Sequence, residues 1–364
     1  MKHSITYGGL NSADFDIWLS GEGTFAAPER EVSQISVPGR NGDLLIDGGK
    51  WKNLEVTYPA YIHTDFFNKF EEFRAEICKL RGYQRLEDTY HPDEFRMGAL
   101  TDGLNPDNFV HFYRSGHFDM TFDCKPQRFL KSGEQPIQIL SPLVFTNSMV
   151  TMRLPIYDDL TITAHSADTL SITVRTYDSA MTLVRELTAS LADGQSATFT
   201  FEQGEDFFQA DVTGFEEPDE TSVTIQTTTL NGGTPLPINA EMGRTIKITN
   251  PTGYPAKPLI KIYSSASPSM SLTNYVDGVE QDYYVFHVNG TPSDEMTIDC
   301  ELQYVYDDDK TNLTRYFVLS TAESAIGEGL TFPQLGEGEI EFYSYYSSND
   351  GLGLVEIYPN WWKL

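Results

Sequence analysis

Residues 37–49 of this 364-residue chain read VPGRNGDLLIDGG, with glycines at 39, 42, 48 and 49 around Arg40. A glycine-rich loop holds phosphate when it leads straight into a helix, whose first N–H groups then point at the anion. These glycines match neither GxGxxG nor GxxxxGKS/T, and the residues that follow are strand-like. The stretch therefore predicts a hairpin turned at Asn41-Gly42, a pair that tolerates the positive φ of a type I′ turn. Arg40 becomes a candidate contact residue beside the turn.

The other reactive residue types are scattered. His111, His117 and Asp119 in HFYRSGHFD would meet only if the chain reversed at Ser115-Gly116, and they form no complete zinc ligand set. The carboxylates of VYDDDKTN, residues 305–312, miss the EF-hand spacing and read as a solvated turn, as does FEEPDE at 215–220. Carboxylates are too numerous to single out a glycosidase pair. HExxH and GxSxG do not occur, and Cys78, Cys124 and Cys300 stand far apart, so reduced thiols are expected. These readings predict no catalytic residue, no metal and no cofactor.

Composition limits the remaining functions. The chain carries 53 acidic and 25 basic residues, a formal charge of −28. Residues 1–131 hold 20 acidic and 15 basic groups, whereas 132–364 hold 33 and 10. Such a field opposes binding to nucleic acid or an anionic membrane. With 40% hydrophobic and 13% aromatic residues the chain can fill real cores. MKHSITYGGL lacks a signal-like apolar region, so synthesis in the cytosol is expected.

The elements that would position any site are mostly strands. Runs 4–7, 15–19, 32–37, 44–46 and 54–62 are β-prone, with a second turn expected at Asp47-Gly48-Gly49. One helix is expected over 65–80, because Phe66, Phe70, Phe73, Ile77 and Leu80 recur on one stripe. Thr64 or Asp65 would cap its start and Gly82 would end it. Residues 150–232 alternate apolar and polar positions, as in LSITVRTY, which implies half-buried strands. LNGGTPLPIN, 230–239, reads as a linker, and more short strands follow to VEIYPNWWKL, a terminal strand expected to be packed. The expected fold class is mostly β: an N-terminal antiparallel domain with one packed helix over 1–140, an inserted small β-sandwich over 150–235, and a C-terminal β-sandwich over 236–364.

The order of several motifs carries a resemblance. VSQISVPGRNGDLLIDGGKWKNLEVTYPAYI, the Phe-rich helix, GYQRLEDTYHPDEFRMGAL and FDMTFDCKPQRFL resemble the N-terminal domain of the distal tail proteins of long, non-contractile-tailed bacteriophages. ITNPTGYPAKPLIKIYS, TIDCELQYVY, FPQLGEGEIEFYS and VEIYPNWW resemble the galectin-like sandwich of the same family. The resemblance implies a structural, non-enzymatic protein of the virion tail tip, assembled in the bacterial host cytoplasm. It implies a hexameric ring that joins the major tail protein to a tail-associated fibre or lysin protein, with receptor-binding or baseplate components held outside. Pro38, Gly39, Arg40, Asn41, Gly42 and Asp43 would lie near the subunit contacts. The segment 150–235, with 14 acidic and 3 basic residues, departs from the usual pattern. An alternative role is recognition of host cell-wall carbohydrate, with Tyr157, Tyr177, Phe207 and Phe208 as candidate stacking rings.

Overall fold

A computed structural model describes residues 2–20, 25–110, 114–145, 148–231, 233–243, 245–263, 269–288, 295–314, 317–321, 332–345 and 353–364. Its secondary structure is mostly β, with one α-helix among the described residues. Two compact units partition the chain. The first is Met1–Gly133 together with Trp362–Leu364, and the second is Glu134–Trp361.

The first unit is built on a nine-stranded antiparallel sheet whose long strand, Ser115–Leu130, pairs Leu54–Ile62 on one side and Glu94–Leu100 on the other. Alternation in LEVTYPAYI buries Val56, Tyr58, Ala60 and Ile62 and turns Glu55, Thr57 and Pro59 to solvent. Helix α1, Phe66–Ile77, covers the apolar face with Phe66, Phe70, Phe73 and Ile77, all buried. Phe118 from the long strand meets the Phe70 ring edge-on at 4.9 Å, and Phe66 stacks on Phe70 at 5.3 Å. Asp65 occupies the N-cap with φ 56° and makes no capping bond; its Oδ1 instead accepts from the Asn68 amide at 2.9 Å. The final residues return to this unit, where Trp362 and Lys363 pair with Phe129 and Arg128. The expected packing of the aromatic tail is seen here and at Trp361, which is 5% exposed in the second unit.

In the second unit a nine-stranded sheet runs in the order Ser196–Phe199, Leu160–His165, Ser222–Asn231, Thr234–Gly243, Ile137–Leu140, Leu354–Tyr358, Leu259–Tyr263, Glu295–Asp299 and Tyr304–Asp307. The stretch read as a linker is the hairpin between two ten-residue strands, Ser222–Asn231 and Thr234–Gly243. Pro235 and Pro237 sit where the strand's other edge is open, since the neighbour Ile137–Leu140 pairs only near Glu241. The boundary expected at 235/236 thus falls inside a hydrogen-bonded strand. Leu143–Phe145, Ser148–Val150, Phe207–Thr213, Leu170–Tyr177 and Leu183–Leu191 form a second sheet, and its inward residues Ile172, Val174, Phe208 and Val212 share one core with Ile162, Ile225 and Ala240 of the first. A third sheet runs Thr245–Asn250, Gly338–Tyr345, Ser269–Val276, Val279–Val288 and Phe317–Thr321.

One ion pair locks the end of the second sheet. The Glu205 carboxylate, 2% exposed, accepts from Arg185 Nε at 2.9 Å and Nη2 at 2.8 Å, from the Thr176 hydroxyl at 2.7 Å and from the Glu202 N–H at 2.6 Å. Burial pushes its pKa up, but these hydrogen bonds outweigh burial and hold the carboxyl below the usual Glu range. The folded pKa being the lower one, the stabilisation is complete above the unfolded value of about 4.3 and disappears as pH falls through the folded value. The stability gap between wild type and Glu205→Gln in urea unfolding is therefore expected to be widest near neutrality and to close below about pH 4. A gap of constant size down to about pH 2 would refute a role for the charge.

Candidate functional site

Between Trp18–Leu19 and Leu54–Ile62, both in the main sheet of the first unit, the chain forms a separate two-stranded ribbon, Arg30–Ile35 paired with Leu44–Trp51. Every residue from 29 to 50 is exposed. The register places Ser33 opposite Ile46 and Ile35 opposite Leu44, so Ile35, Leu44 and Ile46 share one face; Val32, Gln34, Leu45 and Asp47 share the other. Their exposures run from 38% for Val32 to 57% for Leu45. A lone two-stranded hairpin is marginal in water, and six large apolar residues of the ribbon, counting Val37, are exposed, three of them, Ile35, Leu44 and Ile46, together on one face.

The base of the ribbon is fastened and its tip is exposed. Arg30 reaches Asp47 at 2.6 Å and lies over the Trp51 ring at 4.6 Å, while Lys52 pairs with Glu29 at 3.4 Å. The Gly49 N–H and then the Arg30 guanidinium hold the Asp47 carboxyl below its usual pKa. Asp47, Gly48 and Gly49, expected to turn the chain, instead form a bulge within the strand, seen as a register shift between Arg30 and Val32.

The tip also turns differently from expectation. The Arg40 N–H donates to the Val37 carbonyl at 3.2 Å across Pro38 and Gly39, and Gly39 has φ 81°. Proline at the second position and a positive-φ glycine at the third make this a type II turn. Asn41 does not adopt positive φ, so the type I′ turn at Asn41-Gly42 is not formed. Proline's fixed φ pre-sets the Pro38-Gly39 turn, a signal that stands in the sequence two residues before Asn41-Gly42. Pro38, Gly39, Arg40, Asn41, Gly42 and Asp43 are all exposed at this tip.

The stacking candidates separate by burial. Phe208 is fully buried in the core and Tyr177 is 7% exposed beneath the Arg153 guanidinium, so neither offers a free ring face. Phe208 lies opposite Thr176 on the inward face, whereas Tyr177 lies opposite Phe207 on the other face, where Arg153 covers it. Phe207 is half-buried, and Tyr157 alone of the four is exposed, at 58%.

The histidine grouping does not assemble. Ser115 and Gly116 are not a reversal but the start of the long strand, on which His117 and Asp119 both face solvent; His111 lies outside the described residues. No group of three or more metal-ligating side chains occurs among the described residues. Asp307 closes a tight turn by accepting from the Thr311 N–H at 2.8 Å. All three cysteines are free: Cys78 is exposed, and burial pushes the Cys124 thiol up to about 12 and raises that of Cys300. No helix of the described residues is long and apolar enough to cross a membrane.

No protein-family model matches the chain, and no curated protein sequence does. Among solved structures it is similar to the Dit (gp 19.1) protein of phage SPP1, described as a paradigm of hub adsorption apparatus in phages infecting Gram-positive bacteria. That similarity has 8% identity and a TM-score of 0.47, and covers 98% of this chain and 97% of that one. A chain of the phage p2 baseplate in its activated conformation with Ca is similar at 9% identity and a TM-score of 0.40, covering 98% and 96%. Likeness at this level transfers neither partners nor stoichiometry.

Proposed function

We propose that the chain is a structural hub protein of a phage tail tip, whose work is self-association and docking. The observation that carries this reading is the exposed apolar ribbon: no described residue of its own unit covers it, and a neighbouring copy in a closed ring would. In this reading the ribbon tip, from Pro38 to Asp43 by way of Gly39, Arg40, Asn41 and Gly42, lies at the subunit contact. The first unit builds a hexameric ring between the major tail protein and a fibre or lysin protein. The more acidic remainder projects outward as sandwich modules, galectin-like at the C-terminal end, that hold receptor-binding or baseplate components.

Two further facts support it. The sequence motifs of both ends occur in the order of the distal tail family. The near balance of charge in residues 1–131, against the strong excess of acid in 132–364, lets six copies meet at the centre while the anionic parts stay apart. Glycan recognition is the less favoured reading, since Tyr157 is the one exposed ring among the four candidates.

Native mass spectrometry and negative-stain electron microscopy of the purified chain test the proposal. Hexamers and rings are expected as concentration rises. Monomers at every concentration, alone and mixed with tail-tube and tail-tip proteins, would overturn it.

A further inference from the structure

One edge of the second unit is left open. Leu183–Leu191 ends the sheet that carries Leu170–Tyr177, and no described strand pairs with its outer side. It has nine residues, whereas the other described strands that end sheets in this unit have three to six. An open edge presents a row of unpaired N–H and C=O groups, which proteins blunt with lysine, proline, a bulge or short length. LVRELTASL holds neither lysine nor proline, and its one register shift falls near its start, between Leu183 and Arg185. From Arg185 to Leu191 the ladder opposite Leu170–Thr176 is unbroken.

The core is incomplete along the same edge. Leu187 and Ala189 point inward but stay partly exposed, while Val174 and Ile172 opposite them are fully buried. Ala197, on the edge strand Ser196–Phe199 of the other sheet, packs on this core and is also partly exposed. At the start of the strand Met181, Leu183 and Val184 are all exposed. Met181 has φ 60°, a conformation rare for a large side chain. Asp178 Oδ1 holds the turn around it by accepting from the Ala180 N–H at 2.9 Å and the Thr182 N–H at 2.8 Å.

Charge narrows the choice of partner. Residues 150–235 carry 14 acidic groups against Arg153, Arg175 and Arg185. Arg175 is paired with Glu186 and Asp211, and Arg185 with Glu202 and Glu205, so two of the three cations are already neutralised. A second copy would bring the same excess of acid to the edge, and like fields repel.

We propose that Leu183–Leu191 takes up an extended segment of another protein as an added strand, with apolar residues at alternate positions and lysine or arginine between them. Main-chain hydrogen bonds complete the ladder. The apolar side chains cover Leu187 and Ala189, and the basic ones lie on the outer face with Glu186. This contact belongs to the second unit and stands whether or not the ribbon of the first builds a ring.

The test uses the full chain and three end-blocked synthetic peptides. KVTVKVTVK has the required alternation, KVPVKVPVK keeps its charge but loses N–H groups the ladder needs, and EVTVEVTVE reverses the charge. Fluorescence anisotropy is expected to show saturable binding of the first and at least about 10-fold weaker binding of the other two. At saturation, hydrogen–deuterium exchange is expected to slow in residues 183–191. Absence of saturable binding of KVTVKVTVK up to about 1 mM overturns the proposal. Equal binding of the proline peptide would mark charge attraction alone and overturns it, as does equal binding of the acidic peptide. Slowed exchange confined to other segments removes the site from this edge. Slowed exchange at 183–191 in the chain alone, growing with its concentration, would make a second copy the occupant and also overturns the proposal.

Discussion

Replacing Ile35, Leu44 and Ile46 together with glutamate is expected to leave the chain monomeric at concentrations where wild type assembles, with its unfolding midpoint nearly unchanged. The three side chains share one face of the ribbon and are 47%, 41% and 48% exposed, so each has roughly half its surface still to bury. Full burial of such a residue contributes about 1.5–3 kcal/mol, so half burial contributes about 1 kcal/mol each. Losing all three weakens each contact by about 3 kcal/mol, or more than 100-fold. Three unpaired carboxylates forced into the contact cost several kcal/mol more.

The folded protomer loses little, because these positions make no core contact, and surface changes stay within about 0.5 kcal/mol. Leu302→Glu, at a residue 71% exposed in the second unit, is the matched control and is expected to assemble normally. Sedimentation velocity on the three proteins reads the result directly. Assembly of the triple variant at wild-type concentrations would remove the ribbon from the interface.

The second large effect lies under the helix. A Cβ built on Gly116 would sit 2.5 Å from Phe66 Cε2, 2.7 Å from Cδ2 and 2.9 Å from Cζ, inside the closest approach that real side chains show. Gly116 is hydrogen-bonded into the sheet between Ile62 and Phe109, so the backbone cannot retreat. The Phe66 ring is 1% exposed and stacked on Phe70, with Phe118 across from it at 6.4 Å, so the ring has nowhere to go either. Gly116→Val is expected to destabilise the first unit by about 3 kcal/mol or more.

Pairing the change with Phe66→Ala distinguishes this cause from lost strand propensity. Phe66→Ala alone is expected to cost about 3 kcal/mol or more. If the clash is the cause, the double variant is markedly more stable than the two single losses added together, as denaturant unfolding of all four proteins would show. Strict additivity would mean that the close approach contributes nothing.

Much of this architecture is legible in residue order. Helix α1 is marked by five apolar residues at steps of three and four, and its structure ends within three residues of the expected limits. Strand alternation in LEVTYPAYI and LSITVRTY identifies inward and outward positions correctly, because a two-residue period admits only two faces. The mostly β class follows from the same alternation repeated along the chain.

Where two local signals competed, the sequence alone was less decisive. Pro38-Gly39 and Asn41-Gly42 each support a turn, and the Gly39 geometry shows which one closes the ribbon tip. The prolines of LNGGTPLPIN suggest a break, yet they lie in a ladder whose neighbour stops short of them. Tyr177 and Phe208 look like surface rings in an acidic segment, but the register of Phe207–Thr213 against Leu170–Tyr177 sends Phe208 to the core, and the Arg153 guanidinium lies over Tyr177 on the other face.

VPGRNGDLLIDGG shows the division most clearly. By itself the sequence determined that this stretch is a hairpin and not a phosphate loop, because glycine spacing and strand alternation are local properties of neighbouring residues. Only the tertiary structure decided that the hairpin leaves its sheet and exposes Ile35, Leu44 and Ile46 together. It alone brought His91, Arg96 and Arg128 together at one small pocket. Exposure and charge pairing depend on which distant strands pack nearby, and local residue order does not contain that information.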